Sequence, residues 1–193
     1  MDTCELDPAC RTLMGIVEDI EDGHLDRPTP CEGVSGGQLL QHIVGLTLAF
    51  RAAADKELGP LTDTPPDAGG WPDLEPGWRD ALHEQVPRLV TAWCADSAWE
   101  GMTRAGGVDL PGAVAGLVAL DEVVLHGWDL ARAMGREYTL EDATAAACLE
   151  FIETFDPAGT PGLFGPAVPV AEDAPVLDRL VARAGRDPRW APS

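Results

Sequence analysis

The sequence predicts an all-α protein, a four-helix bundle with additional short C-terminal helices, in one domain over residues 1–193. Three observations carry this. Apolar residues recur at i, i+3, i+4 and i+7 through four long segments. Pro and Gly punctuate the stretches between them. No segment alternates apolar and polar residues as a half-buried strand does.

The elements follow in order. Asp7-Pro8 opens the first helix, with Asp as N-cap and Pro at the first helical position. Leu6, Cys10, Leu13, Val17 and Ile20 follow at helical spacing, to about residue 22. Residues 24–34 contain Pro28, Pro30 and Gly33 and read as a loop. Ser35 caps the second helix, which runs to about residue 58. His42 shares its face with Gln38, Gly45, Ala49 and Ala53, small or polar residues suited to lining a cavity. Residues 60–77 are rich in Pro, Gly and Asp and long for a plain connection, so they read as a lid or a mobile loop. A third helix spans about 78–95, with Pro87 expected to kink or break it. Residues 97–110 read as irregular. The fourth helix runs from Pro111 to Gly135, a good left-handed cap. Thr139 caps a fifth helix to about 155, a Pro-rich loop follows, and Pro175 opens a short last helix ending at Gly185.

The fourth helix carries the chemistry. At about 100° per residue, Glu122 and His126 lie about 40° apart, one turn above each other. Asp129 shares the stripe one turn further on. Val118, Ala119, Val123, Val124, Leu125 and Leu130 surround it. A carboxylate buried among such residues is costly unless compensated. A metal ion would compensate it, and so would a buried hydrogen-bond network. With His42 from the second helix, two imidazoles and one carboxylate can hold one face of a metal and leave positions open for substrate. Asp129 would orient His126, act as a base, or simply end a helix turn. Cys31 precedes a helix N-terminus, a position that lowers a thiol pKa, and the simpler reading is a buried, inert thiol. Arg179 and Arg183 lie at i,i+4 on the last helix and suit either surface ion pairs or the anionic group of a cofactor. His24 and His83 lack partners and read as surface residues.

Composition narrows the function. The net charge is −20, from 33 acidic against 13 basic residues, which argues against nucleic acid and against an anionic membrane surface. No apolar run reaches the roughly 18–20 residues of a membrane span. Asp2, Glu5 and Asp7 are wrong for a signal peptide, so the expected location is the cytoplasm. Five cysteines without CxxC spacing read as reduced thiols. There is no GxxxxGK[ST], GxSxG or HExxH, and the single lysine, Lys56, lies between two acids.

Several stretches together resemble one family. These are Thr29-Pro30-Cys31-Glu32-Gly33, Leu39-Leu40-Gln41-His42, the run Glu122-Val123-Val124-Leu125-His126-Gly127-Trp128-Asp129, Gly162-Leu163-Phe164-Gly165, and the tail Gly185-Arg186-Asp187-Pro188. The family is the actinobacterial metal-binding proteins similar to the N-terminal domain of mycothiol-dependent maleylpyruvate isomerase, within the DinB-like or YfiT-like superfamily. The resemblance implies a four-helix bundle whose divalent metal (zinc, or iron, nickel or manganese) is held by His42, Glu122 and His126. It also implies mycothiol as cofactor. Two departures are visible: Val34 stands where the family usually has Trp, with Gly36-Gly37 after it, and 193 residues are not expected to hold the isomerase's additional C-terminal domain.

The expected function is therefore a divalent-metal-dependent enzyme that activates a low-molecular-weight thiol for S-transfer or isomerisation of a small electrophile. The alternatives are a metal-dependent hydrolase, lyase or cyclase working without thiol, and a non-catalytic metal-binding stress protein. The expected partner is a small-molecule substrate, and the chain a monomer or homodimer.

Overall fold

The structure is a computed structural model and describes residues 6–65 and 70–192. Asp2, Cys4, Glu5 and Ser193, and residues 66–69 of the 60–77 loop, lie outside it. Four long helices form the core: α1 (Leu6–Glu18), α3 (Gly36–Ala54), α5 (Trp78–Trp93) and α7 (Gly112–Ala133). Each buries one stripe. In α1 this is Leu6, Ala9, Cys10, Leu13, Ile16 and Val17. α1 packs on α5 and α7, and α3 packs on the same two, so the ring order is α1, α5, α3, α7. Single turns fill the connections: α2 (Asp22–Leu25), α4 (Pro60–Asp63) and α6 (Asp96–Trp99). α8 (Asp142–Ile152) and α9 (Val176–Arg183) pack together, with α8 on the outer side of α7. The all-α bundle with short C-terminal helices is thus the observed fold. No helix among the described residues is long and apolar enough to cross a membrane.

Besides two helix starts, since Leu6 is already helical ahead of Asp7 and Glu141, not Thr139, is the N-cap of α8, three sequence expectations need correction. Residues 97–110 are not irregular: β1 (Met102–Ala105) pairs antiparallel with β2 (Val108–Pro111), in the register Met102↔Pro111 to Ala105↔Val108. Gly106 and Gly107 make the turn with φ of 57° and 77°, the conformation that two-residue hairpin turns require. Four-residue strands are too short to show alternation, but the Gly-Gly pair was a usable hairpin signal. Second, α5 runs through Pro87 without a break. Pro87 is exposed, so the carbonyl that loses its helical partner faces water. Third, the reading of all five cysteines as reduced does not hold at Cys94, which is disulfide-bonded, while Cys10 and Cys31 are free thiols.

Candidate metal centre

α3 and α7 meet at the candidate site, and local chemistry positions both. Ser35 caps α3: its Oγ accepts from the Gln38 N–H at 3.3 Å, and Gln38 Oε1 accepts from the Ser35 N–H at 3.1 Å. This fixes the first turn, and His42 follows inside the helix with Leu39, Leu40, Ile43 and Val44 buried around it. On α7 two glycines permit close approach of aromatic rings. A Cβ at Gly116 would lie 2.5 Å from the Trp99 ring, and one at Gly127 would lie 2.9 Å from Tyr138 Oη.

The packing of α3 on α7 brings His42, Glu122 and His126 together, one ligand atom from each lying within 4.8 Å of the others. The imidazole centroids of His42 and His126 are 5.0 Å apart and nearly perpendicular. His126 is held at both nitrogens: Nε2 lies 2.9 Å from Glu122 Oε2, and Nδ1 lies 3.1 Å from Asp129 Oδ2. Asp129 is fully buried and in turn receives Arg186, from Nε to Oδ1 at 3.3 Å and from Nη2 to Oδ2 at 3.1 Å. The Cys31 thiol also donates to Asp129 Oδ2, at 3.1 Å. Trp71 stands on the third side of the imidazole pair, its ring centroid 4.8 Å from His42 and 6.4 Å from His126. A cavity of about 430 Å³ opens beside these residues, walled by Trp71, the Gly162–Gly165 turn, Asp121 and Arg186.

The candidate donors differ in charge state. Burial, and then the neighbouring His126, push the His42 imidazole down to about 4, so it is neutral and offers a lone pair. Burial opposes charge on His126, but hydrogen bonds to Asp129, Cys31 and Glu122 outweigh it and raise its pKa well above the ordinary value. Burial likewise works to raise Glu122, and its hydrogen bond to His126 wins and holds it below the usual carboxylate range. Asp129 is buried too, yet the Arg186 charge and the His126 bond bring it down to about 2. Asp121 has no such partner: burial and the adjacent Glu122 charge raise it, and its buried Oδ1 has no hydrogen bond among the described residues. Two imidazoles and one carboxylate, with positions left open, form a donor set that fits a divalent ion of the zinc or non-haem iron kind. Asp129 holds the far nitrogen of His126, the arrangement in which metal sites commonly orient an imidazole ligand.

The structure brings His42, Glu122, His126 and Asp129 to one place. It does not bring Arg179 and Arg183 there. They line a separate groove with Glu153 and Glu172, and Arg183 Nη2 donates to the Phe155 carbonyl. Cys31 is only partly buried and lines the cavity, against the expectation of an inert core thiol. His83 is exposed, and His24 Nδ1 accepts the Glu21 N–H at 2.9 Å. Sequence reasoning missed Asp121, Arg186 and Trp71 as site residues. Arg186 had a signal, its place in the Gly-Arg-Asp-Pro tail. Asp121 had none, because a residue adjacent to Glu122 lies about 100° away on a helical wheel.

The family described as mycothiol maleylpyruvate isomerase N-terminal domain matches residues 6–131. No curated protein matches the sequence. Among solved structures, the crystal structure of the mycothiol-dependent maleylpyruvate isomerase superposes with a TM-score of 0.59 at 16% identity. The match covers 78% of this chain and 66% of that one, so this chain spans just under two thirds of that protein's length. A histidine-to-alanine mutant of the same isomerase matches to the same extent.

Proposed function

The chain belongs to the mycothiol maleylpyruvate isomerase N-terminal domain family, and from that premise we propose that it is a divalent-metal-dependent enzyme. In this reading it activates a low-molecular-weight thiol of the mycothiol kind for S-transfer to, or isomerisation of, a small electrophile. The observation that carries the reading is the convergence of His42, Glu122 and His126 at the edge of a cavity. Zinc suits this donor set, with iron, nickel and manganese as the other candidates. When bound, a divalent ion there supplies Lewis acidity and lowers the pKa of a thiol entering the cavity.

The chain's own residues do the rest. His42, Glu122 and His126 supply the donors. Asp129 accepts a hydrogen bond from His126 Nδ1–H and so presents Nε2 toward Glu122 and the cavity. Arg186 holds Asp129 with two hydrogen bonds, and these fix the acceptor against rotation. Asp129 has no exposed surface, so it is a positioning residue that acts through His126, not a base that meets substrate. Trp71 and the turn at Phe164 wall the cavity and limit water.

The test is a thiol-dependence screen on zinc-loaded protein, with small electrophiles and mass detection of thioether and isomer products. The reading expects turnover only with thiol present, and loss of turnover in His42→Ala. Turnover without thiol would move the protein to a hydrolase or lyase function at the same site.

A further inference from the structure

The cavity beside the donor group is lined by more carboxyl groups than cations. Glu32, Asp121 and Glu122 line it, and Glu32 is exposed there. Among the described residues on its wall the cations are Arg186 and, without metal, His126, which is paired with Glu122 and Asp129. That guanidinium is already engaged: Nε and Nη2 donate to Asp129, and Nη1 donates to the Ala184 carbonyl at 3.0 Å. Only 11% of its side chain is exposed. A divalent ion leaves no surplus positive charge either, since Glu122 and one deprotonated thiol balance it. Among the described residues, the charge left without a partner at the cavity is that of Glu32.

The facing wall points the same way. Trp71 is 38% exposed and lines the cavity beside His42. The face of an indole attracts cations. The field of a chain with net charge −20 also favours approach by neutral or cationic solutes.

We propose that this cavity sorts its small-molecule occupants by charge, admitting uncharged and cationic ones and turning dicarboxylates away. The inference rests on the reading of this cavity as the functional site, and it names the class of ligand that the site takes.

Two measurements test it on the full chain. The first needs no metal. Fluorescence quenching by caesium and by iodide is compared in wild type and Trp71→Phe, so that the difference reports Trp71 alone. Caesium should quench the Trp71 component at least threefold more efficiently than iodide, after normalisation to free tryptophan. Glu32→Gln, a surface change, should bring the two quenchers closer. The second uses cobalt(II)-loaded protein, whose sulfur-to-cobalt band reports thiol occupancy. After correction for thiolate fraction, cysteamine should bind about tenfold or more tightly than mercaptosuccinate, and Glu32→Gln should narrow that ratio by about threefold, an effect that salt weakens. Equal quenching of Trp71 by both ions, an unchanged ratio in Glu32→Gln, or mercaptosuccinate binding as tightly as cysteamine overturns the charge selection. Charge-selective quenching in a protein that takes up no cobalt upholds the selection and defeats the metal-dependent function instead.

Discussion

At the scale of single residues, the centre is a relay of hydrogen bonds that ends on a permanent charge. Arg186 grips Asp129, Asp129 grips His126 Nδ1, and His126 Nε2 faces Glu122. Asp129→Asn keeps the volume but weakens the grip on His126, and should lower metal affinity by about 10–100-fold, measured by competition with a chelator. Arg186→Met removes the permanent charge paired with buried Asp129, leaving it to His126 alone, and should destabilise the fold by about 3 kcal/mol in urea melts. Metal uptake should also release a proton. In the metal-free protein near neutral pH, His126 is charged because its pKa is raised, whereas His42, pushed down to about 4, is neutral. Both must be neutral to ligate. One proton therefore leaves His126 per ion bound, and affinity falls by about tenfold per pH unit as pH drops below the His126 value, until His42 also charges. Calorimetry in buffers of different ionisation enthalpy measures this release. Zero proton release near neutral pH would contradict the assignment of His126 as a ligand. At this scale the convergence of Glu122 and His126 was legible because they share a helical stripe. Trp71 was not, and Arg186 was signalled only by its tail motif, because each reaches the site from a loop whose path no periodicity encodes.

At the scale of elements, α7 works because small residues let aromatic side chains lie against its backbone. Gly116→Ala would place a Cβ 2.5 Å from Trp99 and 3.0 Å from Trp93. Overpacking of this kind costs about 1–3 kcal/mol, against a gain of about 1 kcal/mol from helix propensity. The variant should melt below wild type. Gly15→Ala is the matched control: it lies inside α1 with nothing within 4 Å of the added carbon, and should raise stability by about 0.5–1 kcal/mol. A Gly116→Ala protein at least as stable as Gly15→Ala would refute the close-packing account of α7. The long helices were readable from their apolar stripes and end signals, and the Ser35 cap is realised as a capping box. The hairpin over residues 102–111 was not, since its strands take their place from packing against α3, α4 and α7 and not from local alternation.

At the scale of the whole molecule, the bundle is a frame that holds donors from α3 and α7 at the edge of a cavity closed by loops from elsewhere in the chain. A metal that binds only the folded chain stabilises it by about 2.7 kcal/mol at 100 times its Kd. For a domain of this size that is roughly 5–10 °C of melting temperature, which chelation should remove and Glu122→Gln should abolish. The fold could be read from the sequence because one residue pattern repeats through every long helix. The ligand selectivity could not, because it depends on Glu32, Asp121, Trp71 and Arg186 meeting at one cavity from four distant stretches of chain. The central claim is that His42, Glu122 and His126 hold one divalent ion. Its most direct test is elemental analysis of the purified chain after equilibration with zinc and removal of free metal, for wild type, His42→Ala and His83→Ala. The account predicts one zinc per chain in wild type and in His83→Ala, and none in His42→Ala. Equal zinc in wild type and His42→Ala would contradict it.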